Sequence, residues 1–436
     1  MHLSRTTQTR RALAVTFAAT LTLAACGSDG ADDAASSSST TEPSSSSETT
    51  APGETFGLEV VEDGLDADTT DALDAAAETS FAEVSAPGAV MAVRTPEGTW
   101  VATIGAKDLD GTEPMTADVH QRIGSVTKTF TVSAVLQLAQ AGELSLDDPI
   151  SDYVEGTPNP EATLGQLAAM RSGIPSYTFD EGFQEILFSD PNYVWTPQEL
   201  VDLVDGAEPD FAPGEETSYS NTNTVLLGMV IEQVTGQPID EVIQENIIDP
   251  LGLTGTVFPT DGSFAEPHAQ GYTVQGQDDG VPADATDWNP SWGWSAGAMI
   301  STLGDLLVYG DALVAGDEAL LSPDAQAARI DSFDFTIPPN SPARAYGSGL
   351  GLALGWYGHT GELPGYNTVL QHHLDEDITI VVMVNSDIKS GDCPADAPTV
   401  EGGRTDGPCE DPAVHIANTL TAALGFPLVE PDDSAD

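Results

Sequence analysis

Positive charge is what this chain has least of. Twelve Lys and Arg stand against 70 Asp and Glu, for a formal net charge of −58 at pH 7. A chain this acidic repels phosphate backbones, so nucleic acid is excluded as a partner. The plain consequence of the charge is solubility in a salt-rich or charge-rich surrounding. Lysine is scarcest of all: Lys107, Lys128 and Lys389 are the three in the chain. A motif that requires lysine therefore has few places to land. Cysteine is limited to Cys26, Cys393 and Cys409. A long membrane-spanning run is missing too. The apolar stretch at residues 12–25 would reach about 21 Å as a helix, short of a bilayer core of about 30 Å. What the chain does have is 40% hydrophobic residues over 436 positions. That is enough for a sizeable core in two or three domain-sized units, or in one composite domain with appendages.

The N-terminal segment has the pattern of an export signal. Arg5, Arg10 and Arg11 precede the apolar run, and no Asp or Glu occurs before Cys26. We expect residues 1–25 to be a signal peptide. The pair Arg10-Arg11 keeps twin-arginine export open beside the general secretory route. The run ends Leu23-Ala24-Ala25-Cys26-Gly27, which resembles the bacterial lipobox, whose cysteine is diacylated. This implies a protein anchored by lipid at Cys26 on the outer face of the cell membrane. Residues 26–55 are dominated by Ser, Thr, Asp, Ala and Pro and read as a disordered tether with a reach of roughly 30 Å. With Cys26 lipidated, Cys393 and Cys409 remain as an even pair in an oxidising compartment and are expected to form a disulfide. A Cys/Cys metal site lacks His at a suitable spacing, so neither metal nor cofactor is expected. Residues 429–436 form an acidic tail.

Residues 56–428 are expected to be one hydrolase-sized body of the α+β class. Apolar spacing predicts a helix over 65–84. Residues 89–95 and 99–105 read as two strands joined by Pro96-Glu97-Gly98. Strand patterns return at 346–358, 366–374 and 378–385, followed by a helix over about 411–425. Between them lies a helix-rich stretch, about 125–335. The two ends would build one antiparallel sheet with flanking helices, and the middle a mostly helical lobe.

Ser125 is the candidate nucleophile. It stands in Ile123-Gly124-Ser125-Val126-Thr127-Lys128, before an apolar stretch that runs from Thr129 to Ala141 and stops at Gly142. Apolar side chains nearly all round predict a buried helix with Gly142 as its C-cap. Ser125 would sit at its N-terminus with Lys128 on the same face. A serine hydroxyl needs a neighbour to take its proton, and a helix N-terminus offers unpaired N–H groups to an oxyanion. Ser-x-x-Lys is weak alone, and Ser386-Asp387-Ile388-Lys389 matches it equally. That copy follows a strand and enters a turn, so no helix supports it. Two downstream elements single out Ser125. Tyr219-Ser220-Asn221 is the one Tyr-x-Asn among nine tyrosines, and His359-Thr360-Gly361-Glu362 follows it. Ser125, Tyr219 and His359 stand about 95 and 140 residues apart.

In these elements the chain resembles the penicillin-recognising serine hydrolases, with a β-lactamase/transpeptidase-like fold. The likeness runs from about residue 65 to 425. It is strongest to the branch of class C β-lactamases, the Streptomyces D-alanyl-D-alanine carboxypeptidase, related esterases and D-amino-acid amidases. Supporting stretches are GSVTKTFT, MRSGIPSY, SAGAMIST and YGHTGELPGY. The resemblance implies an acyl-enzyme on Ser125, with Lys128 and Tyr219 handling protons and His359 supporting Tyr219. It places Asn221 with Lys128 on the substrate amide and Thr360 and Gly361 in the substrate-binding strand. The N–H groups of Ser125 and Glu362 would form the oxyanion hole, and Trp292 would line the pocket wall. Expected substrates are small peptides, amides, esters or β-lactams, including peptidoglycan stem peptides. A non-catalytic binding lipoprotein is the alternative from another class.

Two departures bear on the substrate. Carboxypeptidases of this kind carry an arginine on the strand before the third motif, whereas residues 349–355 hold no base. Glu362 also replaces an expected Thr, and a carboxylate there would repel a carboxylate-ended substrate. Two proton schemes stay open. Either a buried, neutral Lys128 is the base, or a charged Lys128 lowers the pKa of Tyr219.

Overall fold

The computed structural model describes residues 56–277, 280–393 and 409–429. The leader, Cys26, the tether and all of the tail but Val429 lie outside them. Eight antiparallel strands form the main sheet: β1 (Glu59–Asp63), β2 (Gly88–Arg94), β3 (Thr99–Gly105), β4 (Arg344–Tyr346), β5 (Gly351–Ala353), β6 (Trp356–Leu363), β7 (Tyr366–His373) and β8 (Ile378–Val384). Their order across the sheet is β1-β3-β2-β8-β7-β6-β5-β4. The first and last parts of the chain therefore meet at the β2–β8 pairing, where Val382 faces Met91.

Residues of β2, β7 and β8 are buried along nearly their whole length. A sheet covered on both faces requires that, and near-continuous apolar runs such as Ile378–Val384 supply it. Helices α1 (Ala67–Phe81) and α4 (Pro412–Ala423) cover one face, with Leu73, Ala77, Ile416 and Leu420 packed among Met91, Val369 and Val382. Helix Leu303–Asp311 lies on the other face, where a Cβ on Gly310 would approach Leu370 to 2.7 Å. Between Gly124 and Ile330 the chain is mostly helical. Its centre is α2 (Thr127–Ala141) against α3 (Asn221–Thr235).

Two expectations change. The single strand expected at 346–358 is three strands, β4, β5 and the start of β6. Gly349 (φ 73), Leu354 (φ 48) and Gly355 (φ 92) break it, because left-handed backbone cannot continue a ladder. β1 is a strand the apolar pattern did not reveal. Among the described residues it is an edge, pairing only with β3. The bond between Cys393 and Cys409 is present, closing a span of 16 residues.

Candidate active site

The nucleophile turn is locked to the sheet by two glycines. Ser125 lies in the single 3-10 turn Gly124–Val126, which runs directly into α2. Gly124 has φ 50, and a Cβ there would come within 2.7 Å of the Glu362 amide nitrogen. From the other side, a Cβ on Gly361 would lie 2.0 Å from the Ile123 carbonyl oxygen. No side chain larger than hydrogen fits at either position. The contact sets the amide nitrogens of Ser125 and Glu362 beside one another. The turn is further held where Gln121–Arg122 pairs with Ile300–Ser301.

Helix α2 is buried over most of its circumference, including Lys128, which is 0% exposed. Its Nζ lies 2.8 Å from Ser125 Oγ and 2.7 Å from the carbonyl oxygen of Ala296. No carboxylate pairs with it among the described residues. Burial alone pushes the Lys128 pKa far below the usual lysine range. Burial thus favours the neutral amine, which donates to the Ser125 hydroxyl and to the Ala296 carbonyl.

The Tyr219 ring lies over this amine, with Nζ 4.9 Å from the ring centroid. Its hydroxyl end lies toward Ser125, whose side chain lowers its pKa. The residue is 42% exposed as a whole, yet the hydroxyl end is enclosed. Desolvation there raises its pKa, the Ser125 side chain lowers it, and Glu362 raises it. The raised pKa keeps the phenol protonated at neutral pH.

His359 meets Tyr219 with the two rings tilted and their centroids 5.9 Å apart. Its hydrogen bonds go elsewhere. Nδ1 is 2.5 Å from the Thr360 carbonyl oxygen and must carry the proton; Nε2, 2.9 Å from the Tyr346 hydroxyl, accepts. Burial, then the neighbouring Lys128, lowers the His359 pKa to about 3, against the bond to Thr360. His359 is thus a neutral spacer between Tyr219 and Tyr346. Tyr346 was missed in the sequence, since it belongs to no motif and sits on a three-residue strand.

The remaining predicted residues take varied positions. Asn221 opens α3, and its Nδ2 donates to Thr178 Oγ1 at 3.3 Å. Thr360 and Glu362 are the exposed residues of β6, alternating with buried His359 and Gly361. Gln275 Nε2 donates to Glu362 Oε1 at 3.3 Å. Trp292 stands behind the strand, lining a crevice with Arg122, Leu363 and Pro364. The Ala296 carbonyl, a backbone acceptor, had no side-chain signal beyond the SAGAMIST stretch.

A cavity of about 580 Å³ opens beside Tyr219, Tyr346, His359 and Thr360 and runs toward Val414 and Ala417 on α4. It exists because β5 pairs with β6 only from Trp356 to Gly358. Arg344 on β4 lines it. Among the described residues no group of three His, Cys, Asp or Glu could hold a metal ion, and no helix is long and apolar enough to cross a membrane.

A family profile described as Beta-lactamase matches residues 73–401. A D-stereospecific amidohydrolase from a Streptomyces species is 34% identical, over 74% of this chain and 94% of its own, with a TM-score of 0.65. D-amino acid amidase from Ochrobactrum anthropi SV3 is 26% identical, over 82% of this chain and 99% of its own, with a TM-score of 0.68. Protein flp of Staphylococcus aureus is 34% identical over 178 residues, 39% of this chain and 34% of its own. The chain thus spans about a third of the length of that curated relative.

Proposed function

The chain belongs to the β-lactamase family of serine hydrolases, and on that footing we propose that it cleaves a small amide or peptide bond through an acyl-enzyme on Ser125. The carrying observation is the 2.8 Å contact between Ser125 Oγ and the buried Lys128 amine. Ser125 Oγ bonds to the carbonyl carbon as its proton passes to Lys128 Nζ. The oxygen, now anionic, is met by the N–H groups of Ser125 and Glu362. The C–N bond then breaks, and the leaving nitrogen takes a proton from Tyr219, which Lys128 reprotonates. Water cleaves the ester by the same route in reverse order, regenerating Ser125.

The structural relatives with amidase names support amides of D-amino acids as the substrate class. Arg344 favours a second reading, a peptidase whose leaving group ends in a carboxylate, since Arg344 and Tyr219 line the same cavity. The leader pattern supports an exported enzyme, lipid-anchored at Cys26. A Cys26→Ser protein that still partitions fully with membranes would remove that part.

The test is labelling with a fluorescent penicillin and with a fluorophosphonate, followed by peptide mapping. An adduct on Ser125 is expected. No adduct with either reagent overturns the enzyme reading in favour of a binding protein. Rapid penicillin turnover would move the assignment to a lactamase, and labelling by fluorophosphonate alone to an esterase.

A further inference from the structure

The second Ser-x-x-Lys tetrad has no nucleophile role in the site just described, yet it ends beside it. Ser386 is buried, donating to the Ser85 carbonyl at 2.8 Å and accepting from the Ile388 N–H at 3.1 Å. Asp387 and Lys389 extend toward Glu362, the residue whose N–H serves the oxyanion. Asp387 is buried and accepts from Thr273 at 2.9 Å, from the Gly365 N–H at 3.2 Å and from Gln275. The same Gln275 amide reaches Glu362, so it bridges the two carboxylates. Lys389 is held by Asp411, 3.3 Å away. The groups facing Glu362 are therefore Gln275, Asp387, Lys389, Asp411 and, from the nucleophile side, Tyr219. Fully ionised, three carboxylates stand against one ammonium.

The direction of the substrate follows from the strand. Tyr219, the proton donor to the leaving nitrogen, lies at the His359 end of β6, where the 580 Å³ cavity opens. Glu362 is three residues further on, about 10 Å along an extended strand. With the carbonyl carbon at Ser125, the leaving group points to the cavity, and the acyl substituents point to Glu362. The carboxylate there is exposed at the rim, and among the described residues its one hydrogen-bond donor is Gln275.

We infer that Glu362 selects acyl groups bearing a free ammonium, so that the substrates are aminoacyl amides or peptides with an unblocked amino terminus. This deepens the proposed amide hydrolysis and rests on it. An ammonium one bond from the scissile carbonyl carbon's neighbour offsets the excess negative charge, and a blocked or anionic acyl group leaves it uncompensated. The side chain reaches solvent, but its carboxyl end is crowded by protein, so its pKa is pushed up to about 7 by desolvation first, then Asp411, with Lys389 opposing and Asp387 adding. Selection therefore strengthens as pH rises through neutrality, until the substrate amine loses its own proton.

The experiment compares D-alanine p-nitroanilide, its N-acetyl form and its N-succinyl form on the full-length protein, in wild type, Glu362→Gln and Glu362→Lys. In the wild type kcat/KM should favour the free amine over the N-acetyl form by about 10- to 100-fold. Glu362→Gln should shrink that ratio at least about fivefold, and Glu362→Lys should turn the preference toward the succinyl compound. A ratio unchanged in both variants, or a wild type that prefers the N-acetyl form, overturns the inference. Equal losses on all three substrates would also overturn it, assigning Glu362 to strand geometry alone. Failure of the underlying reading looks different: all three compounds are then inert and Ser125 takes no fluorophosphonate.

Discussion

Ser125–Lys128 and Ser386–Lys389 have the same residue types at the same spacing, and the structure gives them opposite electrostatic fates. Lys128 is on a buried helix, has no carboxylate partner among the described residues, and has its pKa pushed far below the usual lysine range by burial. Lys389 follows a strand end, is 33% exposed and is paired with Asp411. Its pKa is raised: desolvation pulls it down, but Glu362, Asp411 and Asp387 together outweigh that. The serines differ likewise. Ser125 keeps its hydroxyl for Lys128, whereas Ser386 spends its own on backbone groups. Spacing puts a lysine near a serine; only the surroundings decide whether that lysine can accept a proton.

Exchanging parts of the two tetrads tests this. Ser125→Ala should abolish fluorophosphonate labelling and turnover, while Ser386→Ala should keep labelling on Ser125 and lose about 1–2 kcal/mol of stability in urea unfolding. Gly361→Ala should come next, since its Cβ would meet the Ile123 carbonyl at 2.0 Å. Turnover should fall at least about 100-fold, with folding retained by circular dichroism, as expected when oxyanion donors are displaced. If Gly361→Ala is fully active, the close approach of β6 to the nucleophile turn is not what holds the site.

Lys128→Met should lower kcat by about 10² to 10⁴, the range of a positioned general base. It should also change stability in a way Lys389→Met does not. Between the depressed value of Lys128 and the ordinary lysine value, the unfolded chain binds a proton that the folded chain does not. Stability in the wild type therefore rises with pH across that window, and Lys128→Met should flatten the slope. A slope equal in wild type and variant would mean that the buried amine is charged. The smallest effect is expected from Tyr346→Phe, which leaves His359 Nε2 without its donor. Protonation of His359 becomes easier, so the acid limb of kcat/KM should move to higher pH with kcat reduced less than about tenfold. An unmoved limb would reduce Tyr346 to packing.

The sheet, the lobe and the four-residue centre of the site could be read in the sequence because each rests on local pattern. α2 shows itself by its apolar circumference and Gly142, and β7 and β8 by their apolar runs. Tyr219 and Asn221 fall at the start of α3, a boundary that carries a signature. Tyr346, Arg344 and the Ala296 carbonyl escaped for a common reason. They reach the site through tertiary packing, from a short strand and a backbone atom, where neither periodicity nor residue type marks them. The break of residues 346–358 into three strands was hidden by backbone geometry, since the apolar pattern runs through Gly349 and Leu354 without a change. Glu362 stands out in the sequence where the resemblance leads one to expect Thr, but its neighbours Gln275, Asp387 and Asp411 are distant in sequence and could not be paired with it.

The contact between Gly124 and Gly361 also bears on how such an enzyme can evolve. With hydrogen as the only side chain at both places, the distance from attacking oxygen to oxyanion donors cannot be adjusted by single substitutions. New substrates must be acquired around that fixed point, through the rim carboxylate at Glu362 or the cavity wall at Arg344. The reaction is inherited whole, and the choice of what enters it is left open to drift.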